Sequence, residues 1–452
     1  MDAILICIPC VLALLYYAVA RPGLRRAGIS LPTFYLAGLV IYTIGSFAVF
    51  SEGGYGGGHA VTLMAEAALF SATVGTIIGV LLFERSYPAD YTSQTLRSWT
   101  LTRGEQTGLY WGLTLSAVVC LGFSVEVLRN QAISSLLADV FSVSDSKSLL
   151  QARKAITTGA EGYFAPGIVK QFRDLLVPIL LSATILISTR QRLSTGQKAI
   201  VTIAGVSALT AMLLSGVRSN LFLFFIALYV AYAVAQRVYG KMSRRKKRLQ
   251  ILFVLAAVGL YGVLTVLLGR VDAYESRSSM TLDVLGNLAD RIIVTVPRIN
   301  IDTYLFWVNL GPSYGAQWLA DLRGILPGAP DVTLYNVLHQ YIGGSLEGNA
   351  SLGLPVDVWI NWGWIGVVIF PALYGIFLVY FDCKLAVMRS PIAFGTKIVF
   401  ALALAKIYSP IGFVLYGGGI SILLYLGLLW LRGAESSSSR RTGLLVTEQA
   451  SG

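Results

Sequence analysis

Apolar stretches of membrane length are the feature that most constrains how this chain of 452 residues can fold. About 20 consecutive apolar residues cross a bilayer as a helix, and eleven stretches approach or reach that length. Charged residues make up only 13% of the chain, against about 25% in an ordinary soluble domain. We therefore predict an all-α fold, a polytopic transmembrane helical bundle of about 11 spans. The predicted spans are 3–20, 31–50, 61–83, 108–125, 174–189, 199–214, 219–236, 249–269, 356–380, 391–408 and 411–431.

Lys and Arg residues concentrate in the short connections that follow the odd-numbered spans. The densest cluster, residues 237–248, follows the seventh span and contains seven of them. Because short loops rich in Lys and Arg stay in the cytoplasm, we predict that the N-terminus lies outside and the C-terminus inside. The same basic connections account for the net charge of +12, so the charge does not point to nucleic acid as a partner.

Two long connections fall on the outer side of the membrane in this topology, and they divide the chain. Both are predicted to be periplasmic or extracellular loops, and the second is the candidate catalytic region. The predicted order is 1–125 with spans one to four, the outer loop 126–173, 174–269 with spans five to eight, the outer loop 270–355, 356–431 with spans nine to eleven, and a disordered cytoplasmic tail over 432–452.

Local structure is also predictable within the second outer loop. Apolar residues at helical spacing predict a helix over 281–296 that ends at Pro297. Proline and glycine residues predict an irregular stretch over 309–331, and a second helix is expected over 332–342.

The two outer loops contain cationic side chains, which the topology rule disfavours there. Cations kept in such loops are candidates for binding an anion, and phosphates of lipid-linked sugars are the obvious anions in a cell envelope. Ion pairs with the acidic residues of the same loops are the alternative explanation. The candidate substrate-binding residues are Arg153, Lys154, Arg173, Arg270, Arg277, Arg291, Arg298 and Arg323.

Arg218 lies in the sequence SGVRSN, the tight turn between the sixth and seventh spans. An arginine at the start of a membrane helix can project its guanidinium group into a cavity near the membrane surface. There it could hold a phosphate through two parallel hydrogen bonds. An arginine that only marks the membrane interface is the alternative.

His339 is one of two histidines in the chain and is predicted to lie on the outer side. It could act as a general base toward a sugar hydroxyl, or as a cation that stabilises a leaving phosphate; a structural role is the alternative. The sequence contains no D-x-D pair, no P-loop and no G-x-G-x-x-G followed by an acidic residue. We therefore expect no metal site and no cofactor, with guanidinium groups neutralising any diphosphate.

Two short stretches resemble a known family. The sequence LSGVRSNL at 214–221 is similar to the start of a helix in the O-antigen polymerase and ligase superfamily of bacterial envelopes. The second stretch, at the start of span nine, resembles an acidic stretch of the oligosaccharide repeat-unit polymerases. The resemblance covers spans four to nine. His339 and Gln340 begin like a ligase motif, but Ala350 stands where the ligases have a glycine, and this difference favours the polymerases. The residues that carry the second similarity are Asp357, Asn361, Gly363, Trp364 and Gly366.

The resemblance implies a membrane glycosyltransferase of the bacterial cytoplasmic membrane. Such an enzyme polymerises undecaprenyl-diphosphate-linked oligosaccharide repeat units into O-antigen, capsule or exopolysaccharide. Arg218 and the loop arginines would hold the diphosphate, and His339 or the outer carboxylate Glu347 would accept the proton of the sugar hydroxyl. The implied partners are lipid-linked oligosaccharides, membrane lipids, chain-length regulators and flippases.

Two other functions stay open at this point, an O-antigen ligase-type transferase and a polysaccharide flippase or other transporter. Transporters place charged residues within their spans. Here Glu66, Lys397 and Lys406 are the main charged residues predicted to lie inside spans, which favours an enzyme that works at the outer face.

Overall fold

The computed structural model describes residues 30–51, 56–83, 99, 101–129, 166–215, 218–239, 293–323, 334–342, 352–405, 423–424 and 426–428. Within these residues the chain forms helices and no β-strands, which confirms the all-α fold. The predicted spans 3–20 and 249–269, and most of 411–431, lie outside the described residues, so the count of eleven stays a prediction.

The described helices, in chain order, are α1 (Leu31–Ser51), α2 (Gly58–Phe83), α3 (Arg103–Arg129), α4 (Pro166–Gln171), a π-helical turn (Phe172–Leu176), α5 (Val177–Arg190), α6 (Thr195–Leu214), α7 (Arg218–Tyr239), α8 (Thr295–Trp307), α9 (Ala316–Arg323), α10 (Leu334–Tyr341), α11 (Leu354–Val387) and α12 (Pro391–Leu404).

Six helical stretches in the described part are long and apolar enough to cross a membrane. Each coincides with a predicted span to within about five residues at either end, except that Leu354–Val387 continues seven residues beyond the predicted end at 380. The agreement is close because the length of an apolar run is what the sequence specifies most clearly. Five of the six, all except Val169–Arg190, also expose large apolar side chains, such as Leu115 of α3 and Leu373 of α11. Contact with lipid explains that exposure better than contact with water does. The six stretches are Leu31–Ser51, Gly58–Phe83, Arg103–Arg129, Val169–Arg190, Thr195–Leu214 and Leu354–Val387, and two shorter apolar helices are Asn220–Gln236 and Pro391–Leu404.

Short connections reverse the chain and define two ends of the bundle. We call one of them the loop end, because α8 packs there against the turn between α1 and α2, with Tyr304 beside Gly57. The turn between α6 and α7 and the start of α11 lie at this end as well. The opposite end holds the start of α1, the connection between α5 and α6, and the connection between α11 and α12.

Glycines allow α2 and α11 to pack closely against each other. A Cβ atom built on Gly75 would lie 2.0 Å from the carbonyl oxygen of Ala372, and one on Gly375 would lie 2.8 Å from that of Ala72. Small residues that let two backbones approach are a common means of helix association in membranes. Because Gly75 faces Ala372 and Gly79 faces Val379, the two helices run in the same direction.

A buried ion pair joins three helices at the opposite end. The ammonium nitrogen of Lys397 in α12 lies 2.9 Å from Oδ1 of Asp382 in α11, and the two side chains are 1% and 0% exposed. The same oxygen accepts a hydrogen bond of 3.3 Å from the backbone N–H of Leu31, the first residue of α1. A carboxylate that interacts with both a cation and a helix N-terminus is well compensated for its loss of water.

The segment between α7 and α11 differs in part from its prediction. Pro297 does not end a helix; it lies in the first turn of α8, where its missing N–H is not needed. Residues 316–323, expected to be irregular, form α9. The helix predicted over 332–342 is confirmed as α10, and residues 281–292 of the helix predicted over 281–296 lie outside the described residues.

Candidate functional site

Arg173 and Asp174 lie in a π-helical turn that interrupts the helix leading into the bundle. The sequence placed Arg173 at the end of an outer loop, but the helix already begins at Pro166, and only 5% of the Arg173 surface is exposed. A π turn inserts one extra residue into a helix and is frequent at functional sites. Here it places two consecutive charged residues inside the bundle.

The carboxylate of Asp174 organises the contacts of this turn. Arg173 donates from Nε to Oδ1 at 2.6 Å and from Nη2 to Oδ2 at 2.9 Å. Asn220, in the first turn of α7, donates from Nδ2 to the same Oδ2 at 2.5 Å. We call Arg173, Asp174 and Asn220 the Asp174 cluster. Its carboxylate therefore accepts three hydrogen bonds, two of them from a cation, which offsets the cost of burying its charge.

The Asp174 cluster connects the two helices on either side of the turn that contains Arg218. Nη1 of Arg173 donates to the backbone oxygen of Ala211 in the last turn of α6 at 3.5 Å. Asn220, which donates to Asp174, lies in α7 two residues after Arg218. Both helices that flank the SGVRSN turn are thus tied to the same ion pair. Arg218 is the first residue of α7, so the structure brings the neighbourhoods of Arg173 and Arg218 together at the loop end.

An aromatic ring also contributes to the environment of Arg173. The guanidinium carbon lies 5.9 Å from the centre of the Phe123 ring, which belongs to α3. This distance is within the range of a cation–π interaction. The guanidinium group is thus surrounded by a carboxylate, a backbone carbonyl and a ring face, and its charge is compensated within the protein.

A second polar group lies where α11 begins. Gly363 has φ of 63° and ψ of −155°, which breaks the helix after its second turn. The break diverts the backbone oxygens of Ile360 and Asn361 to a preceding loop, and they accept hydrogen bonds from the N–H groups of Ser313 at 2.8 Å and Gly315 at 3.2 Å. A glycine meets this need because its backbone adopts positive φ without a clash of Cβ.

Side chains strengthen the same attachment. Oδ1 of Asn361 accepts from the hydroxyl of Ser313 at 3.2 Å and from the backbone N–H of Trp318 at 3.3 Å. The indole N–H of Trp318 donates to Oδ2 of Asp357 at 2.8 Å. Asp357 and Asn361 are 2% and 0% exposed. Asp357 and Asn361 therefore hold the loop before α9, and the first turn of α9, against α11.

Arg298 and His339 lie on α8 and α10, two helices that pack against each other through the rings of Phe306 and Tyr341, whose centres are 4.9 Å apart. Both Arg298 and His339 are half-buried. Burial raises the pKa of Asp302, one helical turn after Arg298, and the positive charge of Arg298 partly offsets that increase. α8 thus carries a carboxylate whose ionisation the fold disfavours.

Of the other predicted site residues, the structure places only Arg323, which is the last residue of α9. The remaining residues lie outside the described part of the chain, so their assignment stays a prediction. They are Arg153, Lys154, Arg270, Arg277, Arg291 and Glu347.

Among the described residues, no group of three or more His, Cys, Asp or Glu side chains comes together as a metal site would require. Three polar residues of the site were not singled out from the sequence: Asp174, Asn220 and Trp318. Asp174 and Asn220 each lie at the first residues of an apolar run. That position could have marked them as candidates but not as buried residues, because a polar side chain at the start of a membrane helix is either exposed to headgroups or paired inside the bundle.

Comparison of the chain with models of protein families, with curated proteins and with solved structures finds no match in any of the three.

Proposed function

We propose that this chain is a membrane glycosyltransferase that polymerises undecaprenyl-diphosphate-linked oligosaccharide repeat units on the outer face of the bacterial cytoplasmic membrane. The observation that carries the proposal is the hydrogen bond of Asn220 to Asp174. Through it, the first turn of α7, which begins at Arg218, is held beside a buried arginine at one end of an apolar helical bundle. Guanidinium groups are the side chains best suited to bind phosphate oxygens in pairs.

The predicted topology supports this function. With the N-terminus outside and the C-terminus inside, eleven spans would direct the loop end to the outer side. Nucleotide sugars are not available there, whereas lipid-linked sugars are. A transfer reaction at this end would therefore draw its energy from the diphosphate linkage of the lipid carrier.

The reaction requires little from the protein beyond positioning and charge compensation. The terminal sugar hydroxyl of an incoming repeat unit attacks the anomeric carbon of the growing chain, and the bond from that carbon to the diphosphate breaks. The hydroxyl proton passes to His339 or Glu347, and undecaprenyl diphosphate leaves with its charge compensated by Arg218. Arg173 already has its charge compensated by Asp174, so in this proposal it positions the turn.

A reconstitution experiment tests the proposal. Purified protein in liposomes receives only lipid-diphosphate-linked repeat units, with a chelator present. We expect a ladder of longer glycans and release of undecaprenyl diphosphate without nucleotide sugar or divalent metal. Transfer that occurs only when a lipid A acceptor is added would assign the chain to the ligase-type transferases instead.

A polysaccharide flippase or other transporter is the second candidate, and the pair of Lys397 and Asp382 favours it. Charged side chains buried within membrane helices often mark a transport pathway, and these two are almost fully buried. In the same liposomes, a transporter would move labelled lipid-linked sugar across the bilayer and form no ladder. That result would replace the polymerase proposal.

A further inference from the structure

The segment 308–319, which runs from the end of α8 through a loop into the first turn of α9, has the composition of a membrane surface element. Its sequence, VNLGPSYGAQWL, contains no Asp, Glu, Lys or Arg. Several of its apolar side chains are exposed, with 64% of Leu310, 76% of Tyr314 and 60% of Leu319 accessible. A loop in water would normally expose charged and polar residues at such positions.

The backbone of this segment is held firmly in spite of its position. The N–H groups of Ser313 and Gly315 donate to the oxygens that the break at Gly363 leaves available in α11. These two hydrogen bonds lie on either side of Tyr314. In the hydrocarbon region every backbone polar group needs a partner inside the protein. These hydrogen bonds supply partners for N–H groups of the segment and for carbonyl oxygens of α11.

Tyr314 has a backbone conformation that residues with a Cβ atom rarely adopt, with φ of 49°. Such a conformation persists only where the surroundings impose it, and it is an indicator of function. The two hydrogen bonds described above impose it here. The result is a bulky aromatic side chain that is 76% exposed on a rigid backbone.

The exposed surface of the segment continues into the apolar face of α11. Gly315 lies against the indole ring of Trp362, where an added Cβ would be 2.9 Å from the nearest ring carbon. Beyond the break at Gly363, the exposed apolar residues Ile365, Ile369 and Leu373 follow at helical spacing along α11. The ring of Trp362, just before the break, joins this stripe through Phe370, whose ring centre is 5.9 Å away. Because α11 is long and apolar enough to cross a membrane, lipid is the occupant that this stripe implies, and the segment shares it.

We propose that residues 308–319 form an interfacial insert that lies in the boundary between headgroups and acyl chains of the bilayer, with Tyr314 as its aromatic anchor. Tyrosine and tryptophan favour this layer because one part of the side chain is apolar and the other can meet water. The insert seats α8 and α9 at the membrane surface. The proposal depends only on membrane insertion of α11, so it stands or falls separately from the glycosyltransferase proposal.

Spin-label accessibility in the full chain tests this proposal. Cys7, Cys10, Cys120 and Cys383 are replaced by serine, and single cysteines introduced by Tyr314→Cys or Leu319→Cys carry a nitroxide label. The protein is reconstituted in vesicles of phosphatidylethanolamine and phosphatidylglycerol. The controls are Leu373→Cys, in the exposed stripe of α11, and Gln340→Cys, an exposed polar position of α10.

We expect labels at 314 and 319 to collide readily with oxygen and poorly with a water-soluble nickel chelate, at a depth of about 5–10 Å below the phosphates. A label that meets the nickel chelate as freely as the one at 340 would place the segment in water and overturn the proposal. A label shielded from both reagents would show that protein covers the segment and would overturn it too. Leu319 lies in a regular helix, so its variant keeps the test valid if Tyr314→Cys fails to fold.

Discussion

At the opposite end of the bundle Lys397 and Asp382 form an ion pair between two helices, whereas at the loop end Arg173 and Asp174 are neighbours in one π turn. The first pair also holds the N-terminus of α1, so it joins three helices. The second pair reaches through Asn220 to the turn that contains Arg218. The comparison indicates that one buried pair fastens the bundle, while the other positions a turn with a candidate substrate-binding residue.

The largest effect should come from removing one partner of the pair at the opposite end. Lys397→Ala leaves the carboxylate of Asp382 buried without its cation, which should lower the free energy of unfolding by about 3–5 kcal/mol. Thermal unfolding in detergent measures this loss. The control is the double variant Lys397→Met with Asp382→Leu, which should recover most of the stability. If the double variant recovers stability but abolishes transfer or transport, the pair is functional and the contrast between the two ends fails.

The next effect concerns Arg218. Arg218→Ala should raise the barrier of the transfer step by about 2–4 kcal/mol, if it removes one preorganised donor to the leaving diphosphate. Arg218→Lys keeps the charge but loses the paired hydrogen bonds, so it should also shorten the polymer. Polymer length at equal protein abundance is the measurement. Wild-type length in the alanine variant would reduce Arg218 to a residue that marks the membrane interface.

These two regions also show what the sequence could predict. The apolar runs predicted the helices to within a few residues, because length and hydrophobicity decide membrane insertion locally. The buried positions of Arg173 and Asp174 could not be predicted, since a charged pair beside an apolar run is equally compatible with a solvated loop. Only the packing of α6 and α7 around the π turn decides between these environments.

The break in α11 and its contacts could be predicted from the sequence only in part. Asp357, Asn361 and Gly363 were singled out by resemblance, but their partners Ser313 and Trp318 are more than 35 residues away in sequence. Hydrogen bonds at such separation depend on how the loop folds back onto the helix, which local patterns do not encode. The prediction therefore found the residues and missed that they hold a loop.

A smaller effect is expected from the link between the Asp174 cluster and α7. Asn220→Ala removes a hydrogen bond to a charged carboxylate, which should cost about 1.5–3 kcal/mol. Because that bond orients the turn of Arg218, polymer synthesis should fall more than thermal stability does. The matched control is Ser194→Ala, which removes the N-cap of α6 at the opposite end and should lower stability by about 1 kcal/mol. Equal losses of activity in both variants would show that the loop end has no special role.

The smallest effect is a pH dependence of stability from Asp302. Burial raises the pKa of this carboxyl, with Arg298 partly opposing the increase, so the folded protein holds the proton more tightly than the unfolded chain. Stability should therefore fall as the pH rises from about 4, the ordinary value for Asp, through the raised pKa. Asp302→Asn should flatten this part of a plot of melting temperature against pH. An unchanged slope would mean that another group is responsible.

The central claim is that the loop end faces the outside of the cell and the opposite end the cytoplasm, and two glycines allow a direct measurement. A Cβ added at Gly56, at the loop end, or at Gly196, at the opposite end, would meet no atom within 4 Å, so cysteine fits at both positions. In intact cells that produce the cysteine-free chain with either substitution, a membrane-impermeant maleimide is added from outside. The account predicts that Gly56→Cys is labelled and that Gly196→Cys is labelled only after the cells are opened. Labelling of Gly196→Cys in intact cells, with protection of Gly56→Cys, would contradict it.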